Sequence, residues 1–143
     1  MMTVKQYLQQ IKSHEDSVRR LQDLLYTIHC EMSMLKSPSY DSDKVQSSNS
    51  EDKMLSLIIR YSETETRLTD EINRLLTVRE KIIHQIESLD NDRHREVLYL
   101  LYVKHMRWDD IANAMHYSRR RVEQLHGTAL LEFQEKHFVE FRN

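Results

Sequence analysis

Residues 108–133 read WDDIANAMHYSRRRVEQLHGTALLEF, and this stretch decides the fold of the last third of the chain. Its apolar residues are spaced as in two short helices with a turn between them near residue 116. A helix-turn-helix needs a small residue where its second helix crosses the first, and apolar residues that face the crossing from both helices. The stretch supplies Ala112 as the small residue and the following apolar positions around it: Ile111, Met115, Tyr117, Val122 and Leu125.

The outward face of the second helix is predicted to contact double-stranded DNA. Three- and four-residue spacing assigns Val122, Leu125, Ala129 and Phe133 to the core, and Ser118 precedes the helix as its N-cap. Residues at the start of such a helix enter the major groove, where Arg bonds to guanine, Gln to adenine, and Glu accepts from cytosine. The expected DNA-binding residues are Ser118, Arg119, Arg120, Arg121, Glu123, Gln124 and Thr128, with Arg107 and Lys104 on phosphates.

A simpler interpretation of the three arginines is a solvated helix start. Helix-turn-helix patterns arise by chance in helical proteins, and cations at a helix N-terminus oppose the helix dipole, at a cost of a few tenths of a kcal/mol each. That local cost is better explained if phosphates or bases approach the same place. We therefore favour DNA contact.

The composition of the 143 residues favours an all-α protein and excludes several functional classes. One Gly and one Pro leave few tight turns, and 31% of the residues are charged. The single Gly127 cannot build a phosphate-binding loop, and Cys30 alone cannot form a disulfide or a CxxC metal site. The eight histidines show no helical metal-site spacing, and Asp109 and Asp110 do not converge as catalytic carboxylates would. We expect no enzyme activity, no cofactor and no metal.

No membrane segment is expected. No apolar run approaches the roughly 18 residues of a membrane span, and the N-terminal stretch lacks the apolar core of a signal peptide. A cytoplasmic protein is therefore expected.

Two long apolar seams precede the helix-turn-helix and predict two long helices, over about 3–36 and 51–89. The first seam contains Val4, Tyr7, Ile11, Val18, Leu21, Leu25, Ile28, Met32 and Leu35; the second contains Met54, Ile58, Tyr61, Leu68, Ile72, Leu75, Ile82, Ile86 and Leu89. The Ser- and Asp-rich residues 37–50, which include Pro38, are predicted to be a mobile linker.

The simplest arrangement of the two helices is a coiled-coil-like antiparallel hairpin, residues 1–89, followed by a helix-turn-helix domain, residues 90–143. The seams can also pair between chains, and the sequence leaves this alternative open. Because a two-helix hairpin rarely buries enough apolar surface to be stable alone, we expect it to pack against a further partner, which is the C-terminal domain, a second copy of the chain, or both. The second copy would make the protein a homo-oligomer through these long helices.

The C-terminal part resembles region four of bacterial sigma factors. The resemblance rests on REVLYLLYV at 95–103, the W-D-D-I-A opening at 108–112, S-R-x-R-V-x-Q-L at 118–125 and A-L-x-x-F at 129–133. In that family the positions of Arg119, Arg120 and Gln124 approach base edges, and those of Arg121 and Glu123 lie at or near the DNA backbone and bases. The chain departs from the family at His116, where such turns often carry Gly, at Arg120, which replaces an acidic residue, and at Glu123, which replaces a basic one.

The whole arrangement, long helices and then a sigma-like motif, resembles phage-encoded regulators of the RinA and ArpU type. That resemblance implies a sequence-specific transcriptional activator of a phage or mobile element that works with RNA polymerase. The alternative is a protein-interaction module that binds RNA polymerase or another regulator without reading DNA. The near-neutral balance of residues 91–143, with nine basic and eight acidic side chains, supports this alternative.

Overall fold

A computed structural model describes residues 2–36 and 47–137 of the chain. Within these residues every regular element is helical, so the predicted all-α class is confirmed. In chain order the elements are α1 Val4–Leu8, α2 Gln10–Lys36, α3 Ser47–Glu87, α4 Asp92–Leu98, a π-helical segment Tyr99–Val103, α5 Trp108–Met115 and α6 Arg119–Lys136.

The long helices lie close to their predicted positions. Helices α1 and α2 follow each other with one irregular residue, Gln9, between them. Thr3 starts α1 with a capping box, because its hydroxyl accepts from the N–H of Gln6 at 3.1 Å and the Gln6 side chain accepts from the N–H of Thr3 at 2.9 Å. Helix α3 begins at Ser47, inside the predicted linker, and the linker residues 37–46 lie outside the described residues.

Contacts between residues divide the chain into two compact units. Unit 1 consists of Met1–Glu15 and Arg74–Asn143, and unit 2 consists of Asp16–Asn73. The division follows a different line from the predicted domains 1–89 and 90–143, because the first turns of the chain pack into the core of the helix-turn-helix. A single boundary along the chain, such as the one predicted at residue 89, cannot describe unit 1, because this unit consists of two separate segments.

Unit 1 has an apolar core to which both of its segments contribute. Full burial of one large apolar side chain contributes about 1.5–3 kcal/mol to the free energy of unfolding. Eleven apolar side chains of this unit are less than 2% exposed: Leu8, Ile11, Ile82, Ile86, Leu89, Val97, Leu98, Ile111, Val122, Ala129 and Phe133.

The two segments of unit 1 run antiparallel. The hydroxyl of Tyr7 donates to the side-chain oxygen of Gln85 at 2.6 Å, and further along, Glu15 meets Arg79 at 3.3 Å. As the residue number increases along the first segment, the number of the facing residue in the second segment decreases. The ion pair also explains why Arg79 interrupts the second apolar seam, since its charge is met by a carboxylate on the facing helix.

Unit 2 buries few side chains. Only Ile28, Leu57 and Thr64 among its described residues are less than 9% exposed. A cavity of about 390 Å³ opens between the end of α2 and the start of α3, lined by Glu31, Met34, Leu35, Lys53, Ser56, Leu57 and Arg60. Several large apolar side chains of this unit stay exposed: Leu24, Tyr26, Met34, Leu55, Ile58 and Ile59.

The connection from α4 to α5 is irregular in a way that the sequence did not indicate. Asn91 caps α4 by accepting from the N–H groups of Arg93 and His94 at 2.9 and 3.3 Å. After Leu98 the chain makes a single π-helical turn, closed by the N–H of Lys104 on the carbonyl of Tyr99 at 3.1 Å. His105 then takes a left-handed conformation with φ of 55°.

Two findings bear on the expected absence of metal and membrane segments. In the described part of the chain, no three His, Cys, Asp or Glu side chains come together as a metal site requires. No helix there combines the length and the apolar character needed to cross a membrane.

Candidate nucleic-acid interface

Helices α5 and α6 form the helix-turn-helix through the apolar positions that the spacing predicts. Ala112 is buried, with 5% of its surface exposed, and Ile111 and Val122 are fully buried. Leu125 and Ala129 continue the buried stripe along α6. These contacts orient the opposite side of α6 toward solvent.

The turn between the helices is a Schellman motif centred on His116. His116 is left-handed, with φ of 60° and ψ of 41°, and its N–H bonds to the carbonyl of Asn113 at 3.3 Å. The N–H of Tyr117 bonds to the carbonyl of Ala112 at 2.9 Å, which completes the motif. Positive φ is uncommon for residues other than Gly, which explains why Gly is often found at this position in the motifs that the sequence resembles.

Ser118 starts α6 as predicted. Its hydroxyl accepts from the N–H of Arg121 at 3.1 Å, and its backbone is extended, as an N-cap requires. The hydroxyl oxygen of Ser118 therefore accepts a hydrogen bond from the first turn of its own helix. The three arginines then occupy the first turn of α6.

The centre of the outward face of α6 is a line of four exposed residues. Residues in an α-helix are 100° apart, so the side directly opposite Val122 carries Arg120, Gln124, Gly127 and Leu131. No ion pair within residues 2–36 and 47–137 involves Arg120. Its guanidinium and the amide of Gln124 are therefore the polar side-chain groups at the centre of this exposed face.

Arg119 lies on one flank of that line and is already paired. Its guanidinium is 3.2 Å from Glu123 one turn later and 3.6 Å from Asp109 in the first turn of α5. All three side chains are more than half exposed, so water screens these pairs and they contribute little to stability. The pairs hold Arg119 and Glu123 side by side. Because the pairs are weak, the guanidinium of Arg119 can exchange these carboxylates for another anion or acceptor.

Arg121 and Thr128 lie on the other flank. Arg121 stacks on the ring of Tyr117, with its guanidinium carbon 5.7 Å from the ring centroid. Arg93 of α4 approaches the same ring at 5.0 Å. Sequence reasoning missed Arg93, because nothing in the local pattern of α4 relates it to a residue in the turn of the motif.

Thr128 belongs to a hydrogen-bonded chain that ties α6 to α4. Its hydroxyl donates to the carbonyl of Leu125 at 3.0 Å, and its oxygen lies 3.1 Å from Nε2 of His94. Nδ1 of His94 lies 2.7 Å from a carboxylate oxygen of Glu132. Since the carboxylate of Glu132 accepts, Nδ1 of His94 donates in this contact.

Burial raises the pKa of Glu132, but the hydrogen bonds from His94 and from the N–H of Asp90 outweigh it, and the pKa lies below its ordinary value. Glu132 is therefore a carboxylate at neutral pH. It keeps α4 and α6 in register and with them the position of Thr128.

Lys104 and Arg107 lie on the segment that leads into α5. Lys104 is exposed, with its ammonium 5.8 Å from the ring centroid of Tyr99. Arg107 is exposed at the N-cap position of α5, two residues before Asp109. Their contact with phosphates stays a prediction, as do the base contacts expected of α6.

Under this face lies a buried histidine that the sequence did not single out. Nε2 of His126 is 2.7 Å from the hydroxyl of Tyr102, and its ring meets the edge of Trp108 with centroids 5.0 Å apart. Burial, assisted by the charge of Lys5, lowers the pKa of His126 to about 4, and burial raises the pKa of Tyr102 to about 12. The hydroxyl therefore donates to a neutral imidazole, and Trp108 serves as a core residue.

Comparison with known proteins adds one finding. No curated protein and no solved structure matches the chain. Residues 34–134 match the family DUF1492, whose description is a protein of unknown function. This match covers more than two thirds of the chain and includes α3, α4, α5 and most of α6. The chain is therefore a member of the DUF1492 family.

Proposed function

We propose that this protein is a sequence-specific DNA-binding transcriptional regulator of the cytoplasm, which reads the major groove with α6. The observation that carries the proposal is the exposed line on α6, where Arg120 and Gln124 stand side by side on the face opposite the core. Arg can bond bidentately to guanine and Gln to adenine. Three arginines in one helical turn also supply the positive charge that a phosphate backbone attracts.

Useful affinity requires a second copy of this chain. A single helix-turn-helix with few basic residues binds weakly, and dimers bind two half-sites one helical turn apart. Leu55, Ile58 and Ile59 form an exposed apolar stripe on α3, within a unit that buries little of its own. In a dimer, the same apolar stripe of the second copy would cover these three side chains. Sedimentation equilibrium should show a dimer for the wild type and a shift toward monomer for Ile58→Lys.

The partner in transcription that we propose is RNA polymerase, with the protein acting as an activator of a phage or mobile element. The support is the sigma-like sequence of residues 95–133 together with the resemblance to RinA and ArpU regulators. Membership of DUF1492 is compatible with this role, and the family description assigns no activity.

The experiment is selection of DNA fragments from the surrounding genome by the purified protein, repeated over a salt series. Recovery of one recurring site, whose binding weakens as salt rises and is lost in Arg120→Ala with Gln124→Ala, is the expected result. Arg67→Ala, an exposed arginine of α3, is the matched control and should leave selection unchanged. Recovery of no recurring site by a folded protein would overturn the proposal.

A second candidate is an interaction module that binds RNA polymerase or another regulator without reading DNA. It is favoured by Leu131, which is 60% exposed on the same line of α6 as Arg120 and Gln124. A large apolar side chain in this position suits a protein surface better than a groove. Leu131→Ser should abolish polymerase capture under this candidate, whereas the DNA-reading proposal predicts an unchanged recurring site.

A further inference from the structure

Tyr117 carries two guanidinium groups on its ring. The guanidinium carbon of Arg93 is 5.0 Å from the ring centroid and that of Arg121 is 5.7 Å away. Because both distances are measured to the same centroid, the two guanidinium carbons cannot be farther apart than the two distances added together. The residues come from different helices, Arg93 from α4 and Arg121 from the first turn of α6, and both side chains are exposed.

No acidic side chain among the described residues makes an ion pair with either arginine. Asp92, next to Arg93, pairs with Arg95, and Glu123, two residues after Arg121, pairs with Arg119. A cation–π contact at an exposed site contributes little to stability, and bringing two like charges together opposes it. The arrangement therefore leaves positive charge concentrated beside α6 without a counter-ion from the described residues.

We propose that Arg93 and Arg121, held by Tyr117, bind a backbone phosphate of DNA beside the groove that α6 enters. The inference rests on the proposed DNA-binding function and adds a residue from outside the helix-turn-helix. The N–H groups of a guanidinium lie in its own plane, so a guanidinium held beside an aromatic ring can still donate to phosphate oxygens. Arg93 is thus a phosphate contact that fixes how α6 is oriented in the groove.

The position of the pair favours a phosphate over a base. Arg121 lies on the flank of α6, away from the central line of Arg120 and Gln124, and Arg93 lies on a neighbouring helix. Contacts at the flank of a recognition helix meet the sugar-phosphate edges of the groove, which carry no sequence information. The contact should therefore contribute equally on any duplex, and its test needs no operator.

The test uses the full-length protein and a fluorescently labelled duplex of 30 base pairs with mixed sequence. Binding is followed by anisotropy at several salt concentrations for wild type, Arg93→Gln, Arg121→Gln and Arg93→Lys. Loss of one phosphate contact should reduce the slope of log K against log salt by about one, which weakens binding about tenfold at 0.1 M salt and hardly at all at 1 M. Arg93→Lys keeps the charge and should keep the slope.

The control is Arg67→Gln in unit 2, which should leave the slope unchanged. Thermal melting followed through Trp108 separates a loss of folding from a loss of binding. Arg93→Gln could melt at a lower temperature than the wild type and still keep the wild-type slope of log K against log salt. In that case Arg93 only stabilises the packing of α4 against the turn, and the inference is wrong. If the folded wild type binds no duplex even at low salt, the proposed function itself fails, and this inference with it.

Discussion

Acid should weaken the fold through His126, and the size of the effect follows from its surroundings. His126 is 9% exposed, and its ring is hydrogen-bonded to Tyr102 and packed against Trp108. Its pKa is lowered from 6.5 to about 4 in the folded chain, by burial first and by the charge of Lys5 second. As the pH falls, the unfolded chain therefore takes up this proton before the folded chain does.

The stability that depends on the neutral ring is complete above about pH 6.5 and is lost as the pH falls from there toward about 4. At 1.36 kcal/mol per pKa unit, the loss reaches about 3 kcal/mol below the folded pKa and about 2 kcal/mol at pH 5. Glu132 acts in the same direction, but only below its ordinary value near 4.5, because its pKa is lowered. Measurements above about pH 5 therefore lie largely outside the range in which Glu132 acts.

The assay is urea unfolding followed by the fluorescence of Trp108, the single tryptophan, at pH values from 7.5 to 5. In His126→Gln the amide can still accept from Tyr102 but cannot titrate, so its free energy of unfolding should depend on pH about 2 kcal/mol less than that of the wild type. His29→Gln, an exposed histidine of α2, is the control and should behave as wild type. Equal pH dependence in wild type and His126→Gln would refute the reasoning.

Three further predictions concern α6 and its turn. Ser118→Ala should lower the free energy of unfolding by about 1 kcal/mol, since the N–H of Arg121 loses its acceptor, and Ser118→Asn should restore it; urea unfolding checks both. His116→Val should cost about 1–3 kcal/mol and His116→Gly nothing, because a branched residue resists the left-handed conformation; equal melting of the two would contradict it. Gly127→Ala should stabilise the helix by about 0.5–1 kcal/mol, as its methyl group meets nothing within 4 Å, yet weaken DNA binding where backbone and groove approach closely; a stabilised variant with unchanged affinity argues against that approach.

The sequence predicted those parts of the fold that repeat along one helix. The spacing of Val122, Leu125, Ala129 and Phe133 correctly assigned the buried side of α6, and by subtraction its exposed side. It assigned Ser118 as the cap, because a cap bonds to a residue three positions away. Such features depend on neighbours in the chain, which a single sequence contains.

Features that depend on distant neighbours could not be predicted in this way. His126 lies at the edge of the buried stripe, and only the approach of Tyr102 and Trp108 makes it part of the core. Arg93 joins Tyr117 only because α4 packs against the motif. The π-helical turn at Tyr99–Val103 likewise has no local signal, since the residues there suit an ordinary helix.

The core of unit 1 joins the first turns of the chain to the last turns of α6. The ring of Tyr7 lies 6.1 Å from that of Phe133, and Tyr7 bonds to Gln85 across 78 positions of sequence. During translation Tyr7 leaves the ribosome long before Phe133 is made, so this unit can close only after nearly all of the described chain has emerged. A nascent chain that stalls before α6 would hold Val4, Tyr7 and Ile11 without their partners, as an apolar surface that chaperones recognise. Competence for the proposed DNA binding would therefore arise in one late, all-or-none step of synthesis.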